Sequence, residues 1–154
     1  MKILGLPEKE TKQNIDSLNE LLANFQVYYQ NLRGLHWNIQ GKKFFELHQK
    51  FEELYNQAQL RIDEIAERVL TLGGTPLHTF TDYIELNKIK VGKNISNDEE
   101  AVELIITSLS KLLELERVIL ENTGAISDEG TNSMMSDLIT EQEKEIWMMR
   151  AFLG

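Results

Sequence analysis

The sequence has 154 residues, 42% of them hydrophobic, and a formal net charge of −9 at pH 7. This length and composition predict one globular domain over residues 1–154 with a core of its own. The chain contains no cysteine, which excludes disulfides and thiolate metal ligands, and its acidic balance argues against unaided nucleic-acid binding and for attraction of cations.

The N-terminal segment, residues 1–10, is not expected to be a targeting signal. Its first part, Met1–Leu6, has one lysine and no extended apolar region, so neither a signal peptide nor a membrane anchor is predicted. No stretch approaches the roughly 18 apolar residues of a membrane span. The cytoplasm is therefore the expected location. Pro7 predicts that this segment precedes the first helix.

Two long helices are predicted in the first half of the chain. Helix A is expected from about Thr11 to Arg33, where apolar residues recur at three- and four-residue steps, and Gly34 is its expected end. Helix B is expected over Phe44–Leu72, which contains no Gly or Pro and is followed by Gly73-Gly74. The short link Leu35–Lys43 makes the two helices antiparallel neighbours.

A long connection follows helix B. The next helix start is indicated by Ser96 and Glu99, which have the spacing of a capping box. Within the connection, Thr81–Lys88 is expected to form one or two helical turns. A connection of this length can cross the whole bundle, which would place helices B and C parallel.

Two further helices are predicted in the second half. Helix C is expected over Asp98–Glu121 and helix D over Glu129–Leu153, and the short link Asn122–Asp128 makes them antiparallel. The residues of helix D expected to face the core are Met135, Leu138, Ile146, Met149 and Leu153. The predicted fold is an all-α four-helix bundle, up-down-down-up, with a long crossover that carries a short helix.

Four residues of the first half form a potential metal-ligand set: His36, His48, Asp63 and Glu67. Two imidazoles and two carboxylates suit ferrous iron or zinc. His48 and Asp63 lie fifteen residues apart in helix B, about 22 Å of axial rise, whereas ligands of one metal lie within about 5 Å of each other. The carboxylates are spaced to act together, so the histidines must reach them from a second chain. The site is predicted to form only in an oligomer.

The surroundings of the two carboxylates favour a subunit interface. Asp63 and Glu67 lie outside the main apolar stripe of helix B, on a face that also carries Phe45, Leu60 and Leu70. A carboxylate pair bordered by exposed apolar residues is typical of a contact between chains.

Structural alternatives remain for these residues. An acidic pair at this spacing is usually a solvated surface. His36 continues the apolar register of helix A, so a core histidine is its default explanation, and His48 alone is also more often structural. None of the three histidines has a glutamate three residues before it, so the di-iron motif of a single bundle is missing.

Several segments resemble the signature of the Dps mini-ferritins. They are Leu35-His36-Trp37-Asn38, Phe44–His48, and Asp63–Arg68 followed by Gly73-Gly74. The intervals of twelve, fifteen and four residues between the candidate ligands also match, and the resemblance extends over nearly the whole chain. It implies a ferritin-like four-helix bundle.

The resemblance also implies a function. Such proteins are hollow dodecameric cages, built from dimers, that oxidise ferrous iron with hydrogen peroxide or oxygen, store the ferric mineral and protect against oxidative damage. His36 and His48 of one subunit would bind iron together with Asp63 and Glu67 of its dimer mate, with zinc as a possible competitor. Trp37 would intercept stray oxidising equivalents beside the site, or alternatively serve as a packing anchor.

The resemblance assigns roles to further acidic residues. Glu52 and Glu53 match positions of mineral nucleation. Asp128, Glu129 and Asp137 cluster where acidic pores are found in the family. These are expectations from the resemblance alone.

Two other functions are considered. Part of the same family compacts DNA, generally with mobile Lys/Arg-rich tails, but residues 1–10 are formally neutral in their side chains and the chain carries a net charge of −9, so DNA binding is predicted to be weak. A helical scaffold without metal chemistry would make the spaced ligands a coincidence. Iron oxidation and DNA mobility-shift assays separate the three.

Overall fold

The computed structural model describes residues 3–154, so residues 1–2 of the predicted N-terminal segment lie outside the described range. Over that range the chain is all-helical and has no strand. The helices are α1 (Glu8–Asn38), α2 (Phe44–Thr71), α3 (Phe80–Leu86), α4 (Asp98–Ala125) and α5 (Glu129–Leu153). The four long helices form the bundle, and the short α3, which confirms the predicted crossover helix, packs against α1.

Contacts between helix ends establish the topology. Arg68, late in α2, pairs with Asp128 at the start of α5 at 2.8 Å, so these helices are antiparallel. Asn132, early in α5, donates to the carbonyl of Leu120, late in α4, at 2.7 Å, so α4 and α5 are antiparallel as well. Helices α2 and α4 therefore run in the same direction. The predicted up-down-down-up arrangement is confirmed.

The bundle core consists mainly of apolar side chains and contains most of the core residues predicted for helix D. In α4, five apolar residues at three- and four-residue steps, or multiples of them, are buried: Val102, Ile105, Leu109, Leu112 and Ile119. In α5, Met135, Leu138 and Met149 are buried and Ile146 is half-buried. Leu153 is exposed, so its prediction as a core residue is wrong; it is the last residue of α5, at the margin of the bundle. No helix within residues 3–154 is long and apolar enough to cross a membrane.

Helix α1 begins earlier than predicted. It starts at Glu8, immediately after Pro7, instead of at Thr11. Pro7 has extended backbone angles at the N-cap position, where its missing N–H leaves nothing unsatisfied. The Thr11 hydroxyl donates to the Pro7 carbonyl at 2.6 Å. Proline thus starts the helix directly.

Helix α1 also ends later than predicted. It passes through Gly34 and continues to Asn38, so the segment expected to be a loop from Leu35 is helical. Glycine in a helix interior costs about 1 kcal/mol relative to alanine. The burial of Leu35 and His36 outweighs this cost, and the loop is confined to residues 39–43.

The start of α4 differs from the predicted capping box by one residue. The cap is Asn97, whose side chain accepts a hydrogen bond from the backbone N–H of Glu100 at 3.0 Å. Asparagine is a better N-cap than most residues because its carbonyl reaches the free N–H groups of the first turn. Ser96 instead uses its carbonyl to accept from Gln40 at 3.0 Å, which ties the loop after α1 to the start of α4.

Candidate metal centre

His36 and His48 lie together where α1 ends and α2 begins. Their rings are stacked, with centroids 3.7 Å apart and planes at 13°. The Nδ1 of His36 is 2.6 Å from the carbonyl oxygen of His48, and the Nδ1 of His48 is 2.7 Å from the carbonyl oxygen of His36. Because a carbonyl oxygen can only accept, each Nδ1 carries the hydrogen. In the neutral rings each Nε2 therefore presents a lone pair.

These reciprocal hydrogen bonds use only the Nδ1 of each ring, so they give the Nε2 atoms no structural role. Within residues 3–154, no hydrogen bond to either Nε2 is present, while both Nδ1 atoms are fixed. A metal-binding histidine typically donates its other ring N–H to a carbonyl or carboxylate, which fixes the tautomer and the ring direction. The imidazole pair, His36 and His48, has this arrangement in the single chain.

Two aromatic residues enclose the imidazole pair. Phe44 stacks on His48 with centroids 4.8 Å apart and planes at 21°. Tyr55 presents its ring edge-on to His36 at 5.4 Å. His36 is buried and His48 is half-buried. The rings therefore have packed neighbours on both sides, which restricts their rotation.

The carboxylate pair, Asp63 and Glu67, lies on α2 and is exposed. Within the described residues neither carboxylate group takes part in a hydrogen bond or ion pair. Phe45, Leu60 and Leu70 are exposed as predicted, at 83%, 65% and 58%. The single chain thus leaves the carboxylates and their apolar border uncovered.

One chain does not bring the two pairs together. Helix α2 is continuous from Phe44 to Thr71, so His48 and Asp63 are separated by about 22 Å along its axis. Within residues 3–154, no three His, Asp or Glu side chains converge on a common metal position. The donor set nevertheless fits non-haem iron, since it combines neutral imidazoles with hard anionic oxygens.

Trp37 lies on the surface beside the imidazole pair. Its side chain is 58% exposed, and the guanidinium of Arg33 lies 4.9 Å from its ring centroid and 5.4 Å from that of Tyr29. An exposed ring does not anchor the core of its own chain, which argues against the packing alternative. Its redox role stays a prediction.

The predicted nucleation residues are exposed on α2. Glu52 accepts from the Tyr55 hydroxyl at 3.4 Å, and Glu53 accepts from the Gln49 amide at 3.4 Å. Both bonds are long and solvent-accessible, so the carboxylates remain available to cations. Their role in nucleation stays a prediction.

The predicted pore residues have different environments. Asp128 is buried, caps α5 by accepting from the Thr131 N–H at 3.1 Å, and pairs with Arg68 at 2.8 Å. This structural role accounts for its charge and argues against a place on a pore wall. Glu129 and Asp137 are exposed, and their pore role stays a prediction.

Sequence reasoning missed the two aromatic neighbours of the imidazole pair. Phe44 precedes His48 by four residues and Tyr55 follows it by seven, which places all three on one face of α2. That periodicity was available from the sequence. Which of these residues would meet His36 depends on how the loop 39–43 joins the helices, and no local pattern predicts this.

Comparison with known proteins gives consistent matches over the chain. A family model described as a ferritin-like domain matches residues 15–154. A DNA protection during starvation protein from Porphyromonas gingivalis is 37% identical over 152 residues, which cover 99% of this chain and 96% of the relative. The Dps crystal structure from Vibrio cholerae O1, described as a member of a broad superfamily of ferritin-like diiron-carboxylate proteins, has a TM-score of 0.96 at 48% identity and covers 98% of this chain and 95% of that one. A Dps structure from Bacillus brevis has a TM-score of 0.91 at 35% identity, covering 94% and 97%.

Proposed function

Because this chain belongs to the Dps family of ferritin-like proteins, we propose that it is a ferroxidase and iron-storage protein. It oxidises ferrous iron with hydrogen peroxide, or with oxygen, and holds the ferric mineral in a hollow dodecameric cage. The observation that carries this proposal is the imidazole pair, whose Nδ1 atoms are fixed by carbonyls and whose Nε2 atoms are free to bind metal.

The second half of the site comes from another subunit. In a twofold dimer the same surfaces meet reciprocally, so each interface places the imidazole pair of one subunit beside the carboxylate pair of its mate, twice. The exposed apolar residues around Asp63 and Glu67 favour burial of this face in a dimer. Six such dimers would form the cage.

Iron would undergo the redox reaction, and the protein would supply the ligands that hold the iron in position. The Nε2 lone pairs would bind ferrous iron, and the oxygens of Asp63 and Glu67 would favour the ferric state because hard anionic ligands stabilise the higher charge. Two ferrous ions each give one electron to one peroxide, which takes up two protons and yields two waters. No hydroxyl radical is released. Zinc fits the same donors but has no redox chemistry, so it would inhibit.

Mixed cages test the two-chain site directly. One variant carries His36→Gly and His48→Gly, and the other carries Asp63→Ala and Glu67→Ala. Each variant alone should form cages but oxidise iron more than about 100-fold more slowly, because a half-site loses its ligands. After refolding together, half of the dimers should be mixed, and each should hold one intact site. Peroxide-dependent oxidation should then recover to roughly a quarter of the wild-type rate.

Two controls accompany this experiment. His78 is an exposed histidine of the crossover whose Nδ1 contacts the Pro76 carbonyl at 2.9 Å, and His78→Gly should leave oxidation unchanged. Analytical sedimentation should show a large hollow oligomer for every protein. No recovery in verified mixed cages, or a wild-type chain that sediments as a stable monomer, would contradict the two-chain site.

A further inference from the structure

Glu116 and Gln142 form a buried polar pair between α4 and α5. Glu116 of α4 is completely buried, and Gln142 of α5 is 5% exposed. The side-chain amide of Gln142 donates from Nε2 to Oε1 of Glu116 at 2.6 Å. This hydrogen bond joins α4 to α5.

The remaining oxygen of each group is left without a partner. Glu116 Oε2 and Gln142 Oε1 are buried, and neither has a hydrogen-bond partner among residues 3–154. Both atoms are acceptors when the carboxyl is ionised, and buried unpaired acceptors are strongly disfavoured. A single proton on Oε2 removes both deficits, because Oε2–H can donate to Gln142 Oε1 while the amide donates back.

We propose that Glu116 is a neutral carboxylic acid in the native bundle, paired cyclically with the Gln142 amide, and that loss of this proton weakens the joint between α4 and α5 in mildly alkaline solution. The proposal does not depend on iron chemistry. It assigns the protein a pH-sensitive joint in its core.

The charges around Glu116 leave it without a cation. On α5, Glu141 pairs with Arg61 of α2 at 2.9 Å, and Glu145 pairs with Lys50 of α2 at 3.0 Å. These four charges neutralise one another. Within the described residues, Glu116 forms no ion pair.

The other titratable neighbours do not supply the missing charge. Arg117, beside Glu116 on α4, is directed to the surface, where it lies 3.5 Å from Glu143. On α1, Tyr28 is buried, and burial together with Glu145, Glu141 and Glu116 raises its pKa above its usual value, so it stays neutral. A proton is therefore the available way to neutralise Glu116.

Burial supports the same assignment. It raises the pKa of Glu116 to about 8, against opposing effects of the Gln142 hydrogen bond and Arg117 and with a small addition from Glu141. The unfolded chain titrates near the ordinary value of 4.5. Below that pH both states are protonated. Between the two values unfolding releases a proton, so this contribution to stability falls as pH rises and is lost as pH passes about 8.

Thermal unfolding of Glu116→Gln tests the proposal. Glutamine keeps the size of the side chain and can form the same cyclic pair with Gln142 without a titrating proton. From about pH 5 to about pH 9, the melting temperature of the wild type should fall by several degrees relative to that of Glu116→Gln. The control Glu121→Gln, at an exposed position of the same helix, should follow the wild type. If Glu116→Gln keeps the pH dependence of the wild type, the proposal is wrong.

Infrared spectroscopy of the wild-type oligomer gives a measurement that needs no stable variant. A buried protonated carboxyl should absorb in the carboxylic-acid C=O region at neutral pH, and the band should disappear above about pH 8. Where Glu116→Gln folds, the band should be missing at neutral pH, where the exposed carboxyls are ionised. Absence of the band in the wild type at about pH 6, above the usual range of a free glutamate, would overturn the assignment.

Discussion

The imidazole pair and the carboxylate pair differ in how much of their geometry one chain supplies. His36 and His48 are stacked at 3.7 Å and fixed through both Nδ1 atoms. Asp63 and Glu67 are exposed, and within residues 3–154 their carboxylates are unpaired. The histidine half is built at a helix junction, whereas the carboxylate half is displayed on a helix surface.

The two halves therefore differ in how far a single chain preorganises them. Directional nitrogen lone pairs require fixed rings, and the chain supplies that order through hydrogen bonds and packing. Carboxylates offer several oxygen lone pairs each, so in the proposed two-chain site they could adapt to the metal and to the second subunit. The first predictions below perturb one half and leave the other in place, and all of them run from the largest expected effect to the smallest.

The largest expected effect is on stability and comes from breaking the ion pair next to the carboxylate half. Arg68, next to Glu67, pairs with Asp128 at 2.8 Å and donates from Nε to Thr131 at 2.9 Å. Arg68→Ala should lower the free energy of unfolding by about 3 kcal/mol, because the charge of Asp128 stays buried without its partner. Chemical denaturation measures this change.

A second variant isolates the cause of that loss. Adding Asp128→Asn to Arg68→Ala should restore part of the stability, since it removes the unpaired charge. In Arg68→Ala, backbone hydrogen exchange should become faster in the last turns of α2 and the first turn of α5, but not around His36. Equal loss of protection at both halves would show that they are not independent.

A smaller effect is expected from the packing of the imidazole half. Phe44→Ala removes the ring stacked on His48 and should slow iron oxidation by about 10-fold, an effect in the range seen for groups that orient metal ligands. The absorption spectrum of bound Co²⁺ should change as well. Phe44→Tyr keeps the ring and should retain both properties. A wild-type rate in Phe44→Ala would mean that the carbonyl bonds alone fix the imidazoles.

The smallest effect is an expected absence of DNA binding. The net charge of −9 per chain would be multiplied in the proposed cage, and screening over about 8 Å at physiological ionic strength supplies no attraction. Under the proposed function, removal of iron and peroxide would protect DNA without contact. A gel-shift titration with chelator at near-physiological salt should show no retarded duplex, for wild type and for both half-site variants. Retardation at submicromolar protein would make DNA compaction the principal function.

Helix boundaries show what local sequence patterns can predict. The bounds of α5 agree with the prediction of Glu129–Leu153, and its start is fixed by Asp128, whose side chain accepts from the Thr131 N–H. Gly34 misled the prediction for α1, since glycine is only a weak local stop and the burial of Leu35 and His36 decides the outcome. A local helix-stop signal is overridden when tertiary packing favours continuing the helix.

The functional residues divide in the same way. The spacing of Asp63 and Glu67 places them on one face of α2 without any tertiary information. The ring stack of His36 and His48 joins two helices through the loop 39–43, so its geometry could not be read from either helix. Glu116 lies in the apolar register between Leu112 and Ile119, and that periodicity does place a carboxyl in the core. Its amide partner comes from another helix.

Because α2 is one continuous helix, it sets the distance between the imidazole pair and the carboxylate pair. Fifteen residues of continuous helix place Asp63 about 22 Å along the axis from His48. In a reciprocal dimer this same interval separates the two complete iron centres. Electrons would therefore be transferred within each centre and not between the centres. The two centres of the dimer would react independently, at a constant distance from each other. A one-turn insertion between His48 and Asp63 would shift both centres out of alignment together.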